Sequence, residues 1–183
     1  MSKIALLIID VQKGLADPSL GERNNPDAEA NIARLLAAWR EQERPIIHIR
    51  HCSVEPNSPL RPELPGNAFK DEAQPWPGEK QCSKTVNSAF IGTGLEQYLH
   101  EQDIASLVIV GLTTDHCVSA STRMASDLGF DVTLVSDATA AFERAYKGVL
   151  YSGEDIHTIN LVSLEGEFCA IRSTAEVVKS LVS

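Results

Sequence analysis

Val108-Ile109-Val110-Gly111-Leu112-Thr113-Thr114-Asp115-His116-Cys117-Val118 is an apolar run that stops at a glycine and a small polar turn, then delivers a cysteine to whatever follows. Beyond it, Ser119, Ala120, Ser121, Thr122, Met124, Ala125 and Leu128 keep small and apolar residues at helical spacing as far as Gly129. The segment therefore reads as strand, turn and helix, with Cys117 near the helix N-terminus. Unsatisfied backbone N–H groups and the helix dipole favour an anion there, which is a reason for a thiol to ionise. Cys117 is the candidate nucleophile, and the rest of the chain must supply its base and its countercharge.

Working outward, Lys3-Ile4-Ala5-Leu6-Leu7-Ile8-Ile9-Asp10 is a short continuous apolar run closed by a carboxylate. Such a run suits a strand buried on both faces. Ligands of open parallel sheets sit beyond the carboxyl ends of strands, so Asp10 occupies a functional position, although an Asp after a strand is also an ordinary turn former. Gly14, Asp17, Pro18, Gly21 and Pro26 mark a loop; Ile32, Leu35, Leu36 and Trp39 then recur at helical spacing, and residues 45 to 50 form a second strand. These elements spell a βαβ unit. Residues 51 to 78 contain Pro56, Pro59, Pro62, Pro65, Pro75 and Pro77, with Leu60, Leu64, Phe69 and Trp76 between them. That composition predicts an ordered lid or subunit-contact loop rather than a helix. A short strand at 81 to 86 carrying Lys84, a helix at 94 to 101, the strand at 106 to 111, the Cys117 helix, a strand at 131 to 136, a helix near 153 to 164, a strand at 168 to 171 and a terminal helix from Thr174 complete the chain. Strands alternating with helices predict a single α/β domain with a doubly wound, mainly parallel sheet and helices on both faces.

Bulk properties bound the function. The 183 residues suffice for one core, and no apolar stretch reaches the length of a membrane span. A net charge of −9 argues against nucleic acid and anionic membranes as partners, because both require clustered Lys and Arg. No secretory leader is evident, so the expectation is cytoplasmic. Cys52, Cys82, Cys117 and Cys169 form no C-x-x-C pair and are expected to be free thiols. Nucleotide-binding glycine motifs are missing.

A thiol nucleophile needs a proton acceptor and a nearby cation. His116 adjoins Cys117, but successive residues at a helix start diverge, so it is a poor base. Asp10 and Lys84, each at a strand end, can converge with Cys117 on one sheet edge. In the Asn87-Ser88-Ala89-Phe90 segment, Asn87 and Ser88 have a plain reading as caps of the next turn and Phe90 as a core residue.

Four ordered segments carry a family resemblance: Leu7-Ile8-Ile9-Asp10-Val11-Gln12, Lys84-Thr85-Val86-Asn87-Ser88-Ala89-Phe90, Gly111-Leu112-Thr113-Thr114-Asp115-His116-Cys117-Val118 and Ser136-Asp137-Ala138-Thr139-Ala140. In this order the chain resembles the isochorismatase-like cysteine hydrolases, which include nicotinamidases, N-carbamoylsarcosine amidohydrolases and isochorismatases. The resemblance implies a six-stranded Rossmann-like sheet and an Asp10, Lys84, Cys117 triad. Asp10 would be general base and then proton donor, Lys84 would hold the thiolate, and Cys117 would form a thioester. It further implies an oxyanion hole of the Thr113 and Cys117 N–H groups, a cis peptide between Leu112 and Thr113, and substrate contacts from Gln12, Asn87, Phe90 and Thr114. A homo-oligomer, dimer or tetramer, is also implied, with a small molecule as substrate and no cofactor. Metal-binding relatives use an Asp-x-His pair and a later histidine; this chain has His48 and His51 without that pair, so no metal is expected and both histidines are read as surface or packing residues. Leu15 stands where many relatives carry an aromatic ring, which alters the pocket wall.

Retention of Cys117 favours cleavage of an amide, carbamoyl or lactam C–N bond over the vinyl ether cleavage of isochorismatases. Two readings of other classes are a catalytically silent binding protein and a thiol redox protein on the same fold.

Overall fold

Strand β1 (Lys3–Ile9) is apolar after its exposed first residue because both of its faces are covered: every residue from Ala5 to Ile9 is fully buried. The computed structural model describes residues 3–181. Around β1 the chain builds β2 (Ile46–His51), β3 (Lys80–Lys84), β4 (Ile104–Leu112) and β5 (Asp131–Ala140), then a small antiparallel hairpin of β6 (Arg144–Tyr146) and β7 (Val149–Tyr151), and finally β8 (Ala170–Arg172). Six of these form one sheet in the order β3-β2-β1-β4-β5-β8, with every pairing parallel.

Alternation along β1 divides the core in two. Ala5, Leu7 and Ile9 face α2 (Leu95–Glu101) and α3 (Ser119–Asp127), packing with Leu95, Leu99, Val118 and Ala125. Leu6 and Ile8 face α1 (Ala28–Glu41) and α5 (Thr174–Leu181), packing with Ile32, Leu35, Leu36, Trp39 and Val177. A further helix, α4 (Gly153–Leu164), starts at a Ser152–Asp155 capping box. Each buried Leu or Ile contributes roughly 1.5–3 kcal/mol, so a central strand covered on both faces is the natural anchor of the domain. Among the described residues, no helix is long and apolar enough to cross a membrane.

The strand order places the functional crevice. From β1 the chain winds outward to β3, returns to β4 on the other side of β1 and winds away again, so β1 and β4 flank the switch point where ligands of such sheets bind. Both strands end there. Gly111 allows their close approach: its φ is +126°, and a Cβ at this position would lie 2.0 Å from the Ile9 carbonyl oxygen. The next peptide, Leu112–Thr113, is cis, as the resemblance implies.

Three local features differ from the sequence reading. Strand β5 runs on to Ala140, because a register shift after Ile109 lets Thr139 and Ala140 pair with Gly111 and Leu112. Hairpin β6–β7 was not anticipated; its turn is the pair Lys147-Gly148, both at positive φ, the geometry that closes a two-residue hairpin. Cys117 sits in a π-helical turn, Thr114–Val118, that precedes α3 rather than in an α-helical first turn. The 51–78 segment is ordered. It holds two short 3-10 turns, Pro65–Asn67 and Asp71–Ala73, and is fastened by Asn67 Nδ2 to the carbonyls of His51 and Leu60, by a bridge between Phe69 and Gln12, and by Lys70 to Glu29 of α1.

Gly111→Ala should lower the urea unfolding midpoint by the equivalent of roughly 3 kcal/mol or more, combining an unfavourable φ with a backbone clash. An unchanged midpoint would show that β1 and β4 are free to separate at this point.

Candidate active site

Asp10 follows β1 directly and adopts a left-handed backbone, φ +52°, which Asp tolerates better than most residues. Its N–H still bonds the Ile49 carbonyl at 3.0 Å, so the conformation is held by β2. Lys84 is the last residue of β3 and lies opposite His51, the last residue of β2. The Lys84 Nζ reaches Asp10 Oδ2 at 2.6 Å, His51 Nδ1 at 3.0 Å and Cys117 Sγ at 3.2 Å. An ammonium carries three protons, and here each has an acceptor.

Burial sets the protonation states. The Lys84 and Asp10 side chains are 0% and 1% exposed, a depth at which either charge alone would be prohibitive and only the pair is tolerable. Desolvation pushes the Asp10 carboxyl above its ordinary range, with the Lys84 charge opposing the shift. The Cys117 thiol is pushed up to about 12, first by burial and then by the charge of Asp10, with Lys84 working the other way. The resting site is therefore a thiol beside an unusually basic carboxylate, and the thiolate suggested by helix position is corrected: desolvation and a neighbouring anion outweigh the dipole of a short turn. Asp10 Oδ1 is buried and takes no conventional hydrogen bond among the described residues, which leaves it lone-pair capacity for a proton.

His51 also departs from its expected role. Burial, and then the adjacent Lys84 charge, push its pKa down to about 4, so the ring is neutral at physiological pH and Nδ1 is available as an acceptor. His48 does behave as a packing residue, fully buried with Nε2 2.7 Å from Glu79. Asp10, His51 and Cys117 bring their ligand atoms within 4.8 Å of one another, the kind of set that could hold a metal. The Lys84 ammonium bonds all three of these residues.

Over this cluster opens a cavity of about 260 Å³, lined by Asp10, His51, Asn87, Thr113 and Cys117, by the apolar Leu15, Leu20, Leu60, Leu112 and Phe142, and by His116 and Arg144. Asn87 lines this cavity, with Oδ1 3.7 Å from Cys117 Sγ. Gln12, Phe90 and Thr114 do not line the cavity. Gln12 is fully buried and spends its amide on the backbone: Nε2 donates to the His51 and Asn67 carbonyls, and Oε1 accepts from the His51 N–H. Phe90 stacks on Phe130 and belongs to the core, the plainer of its two sequence readings. Thr114 Oγ1 pairs with His157 Nδ1 at 2.8 Å. Leu20, Leu60, His116, Phe142 and Arg144 were missed; only Leu15, as an altered pocket wall, was signalled in advance.

A doubly wound parallel sheet with a thiol, carboxylate and ammonium gathered at its switch point describes a class of hydrolases. Within that class, residues 4–176 match the Isochorismatase domain, and the chain belongs to the isochorismatase family of hydrolases. It is 46% identical over 181 residues to the isochorismatase family protein YrdC of Bacillus subtilis, covering 98% of this chain and 97% of that one. A crystal structure of an isochorismatase-family protein from Chromobacterium violaceum superposes with a TM-score of 0.95 at 46% identity, covering 98% of this chain and 94% of that chain. The ureidoacrylate amidohydrolase RutB of Agrobacterium fabrum is 32% identical over 126 residues, 63% of this chain and 54% of that protein.

The electrostatics predict how the free thiol reacts. Alkylation of Cys117 by iodoacetamide, followed by peptide mass mapping, should be slow at pH 7 and should rise about tenfold per pH unit while the pH stays below the thiol pKa. Asp10→Asn removes the adjacent anion and leaves Lys84, so it should lower the thiol pKa and accelerate alkylation at pH 8. Slower or unchanged alkylation in the variant would contradict the assigned resting state.

Proposed function

We propose that the chain hydrolyses an amide, carbamoyl or lactam C–N bond of a small molecule through a thioester on Cys117, without a metal. The observation that carries this reading is the Lys84 ammonium bonded at once to Asp10 Oδ2 and Cys117 Sγ. When the Cys117 proton passes to Asp10, one negative charge moves from oxygen to sulfur while staying beside the same cation. No new charge is created in the buried site, which keeps the transfer affordable despite a thiol pKa near 12.

The thiolate then attacks the substrate carbonyl, and the oxyanion is received by the N–H groups of Thr113 and Cys117. Donors of this kind are worth about 10²–10³ in rate. Collapse breaks the C–N bond, and Asp10 returns its proton to the departing nitrogen. Water next attacks the thioester; Asp10 takes a proton from it and passes that proton to the Cys117 sulfur as the acid leaves. Each proton received by Asp10 is given back, so the cycle closes. Asn87, beside the thiol and on the cavity wall, supports substrate orientation. The amidohydrolase named among the relatives agrees with C–N cleavage, and a buried thiol with its own proton acceptor supports acyl transfer over vinyl ether cleavage, which needs no nucleophilic sulfur.

Turnover of a panel of small primary amides, ureido compounds and lactams should fall by about 10³-fold or more in Cys117→Ala, with unchanged circular dichroism. Acid-quenched mass spectrometry of the wild-type protein should show an acyl adduct on the Cys117 peptide. Equal turnover by the variant, or vinyl ether substrates processed while every amide is refused, would overturn the reading.

A further inference from the structure

We propose that His157 is a positioning residue for the nucleophile: by accepting the Thr114 hydroxyl proton it fixes the turn from which Cys117 reaches Lys84. The proposal rests on the amidohydrolase reading and adds to it a residue outside the cavity.

The turn needs support of this kind. Thr114–Val118 is π-helical, a wider coil than an α-helix that occurs mostly as single turns, frequently at functional sites. It closes on the Thr113 carbonyl, which accepts from the N–H groups of His116 and Val118 at 3.2 Å each. Its far end is pinned from one side: Ser121 Oγ donates to the Cys117 carbonyl at 2.6 Å and accepts from the Ala89 N–H at 2.9 Å. Its start is pinned from another by the 2.8 Å bond between Thr114 Oγ1 and His157 Nδ1. Thr114 is fully buried and His157 is 4% exposed, so the bond is shielded from competing solvent.

Packing alone does not call for a histidine here. The buried residues of α4 are Gly153, His157 and Leu164, which share one face of the helix. A leucine would fill that face without penalty, whereas a buried imidazole must have its nitrogens satisfied. Burial pushes the His157 pKa down, opposed by Glu154 and by a hydrogen bond to the Ser136 carbonyl, so the ring is neutral and donates to that carbonyl. Asn25 Nδ2, 3.5 Å from Nε2, commits its own protons to the carbonyls of Ser136 and Thr139 at 2.9 and 2.7 Å. Nε2 therefore carries the ring proton, Nδ1 is the acceptor and Thr114 is the donor.

The helix that carries His157 is itself fixed. Asn24 bonds Ala141, just after β5, in both directions: its N–H donates to the Ala141 carbonyl at 3.1 Å, and its Oδ1 accepts from the Ala141 N–H at 2.8 Å. Its Nδ2 donates to Glu154 in the first turn of α4. A Cβ at Gly153 would lie 2.5 Å from the Ala141 carbonyl oxygen, so α4 starts hard against the end of β5. The bond to Thr114 carries that frame to the nucleophile turn. A reacting group displaced by about 1 Å can lose on the order of 10²-fold in rate, so a turn released at Thr114 should register in kcat.

The test separates positioning from packing. His157→Leu and Thr114→Val each strand one partner of the bond, whereas the double variant replaces both by apolar groups and strands neither. On a hydrolysed amide each single variant should lower kcat by about tenfold or more while KM changes by less than about twofold. The double variant should regain the urea midpoint lost in the single variants yet stay as slow as they are. His157→Asn, whose Oδ1 can replace Nδ1 as acceptor, should recover most of the rate. A double variant as active as the wild-type protein would reduce the pair to packing and overturn the proposal, as would single variants of unchanged kcat. A second readout needs no turnover. Iodoacetamide at pH 8 should label Cys117 about fivefold faster or more in the single and double variants, because a released turn hydrates a thiol that burial keeps protonated. If no amide is hydrolysed, the amidohydrolase reading fails and the labelling rates alone decide, with a double variant labelled at the wild-type rate counting against the proposal. Should His157→Leu not fold, Thr114→Ser, which keeps the hydroxyl, is compared with Thr114→Val, which removes it; equal kcat and equal labelling in the two would refute it.

Discussion

One ammonium with three acceptors organises this site. Lys84 lies at the end of β3, yet its partners come from the ends of β1 and β2 and from the turn after β4. Buried as it is, it tolerates no loss of these partners, because an uncompensated charge at that depth costs several kcal/mol. The requirement runs both ways. Strand register must bring three chain segments within hydrogen-bond reach of one nitrogen on a fourth, and the nitrogen in turn ties their ends together. His51 shows how closely the surroundings are fitted: Gln12 bonds both its N–H and its carbonyl, and Asn67 bonds the carbonyl again, so the ring that accepts from Lys84 is fixed through its own backbone. Gln12 thus serves the site from behind rather than from the cavity.

The same arrangement resolves the tension between a reactive thiol and a buried one. A low thiol pKa in the resting state would need an exposed, electropositive setting. This site has the opposite setting, and the thiol stays protonated. In the proposed reaction the carboxylate supplies at the moment of attack what burial withholds in the ground state, because desolvation makes Asp10 a stronger base as it makes Cys117 a weaker acid. Lys84 touches both atoms and so stabilises the charge on either. The helix dipole first invoked for Cys117 becomes a secondary influence.

Legibility from sequence followed the physical origin of each feature. The sheet was readable because a strand covered on both faces must be apolar throughout, as Ile4 to Ile9 and Leu107 to Val110 are. Asp10 and Cys117 were readable because a polar residue closing or following such a run stands out, whereas Lys84 ends a polar strand, Lys80–Lys84, and stood out through the resemblance of the segment it opens. His51 was not. Nothing in a β-strand sequence distinguishes a histidine that accepts from a lysine on the neighbouring strand from one that merely packs, as His48 does, and only the register of β2 on β3 separates them. Thr114 and Phe90 lie off the cavity wall for a related reason: the side-chain direction in a π-helical turn, or in the short connection before α2, follows from tertiary packing rather than from local pattern.

The cavity wall was the least legible part, and its construction explains why. Leu15, Leu20, Leu60, Phe142 and Arg144 come from segments far apart in sequence, each lying in or beside an irregular connection with no periodicity to betray which side chains turn inward. Strand ends can hold reacting atoms to the tolerance that chemistry needs, because each is fixed by ladder hydrogen bonds on one or both sides. Loops that pack against those ends can vary their side chains without moving the ammonium or its acceptors. A chain built this way keeps its reaction in the sheet and its choice of substrate in the connections. The residues at the strand ends therefore carry no information about which small molecule would be taken, and that information resides in the residues that line the cavity above them.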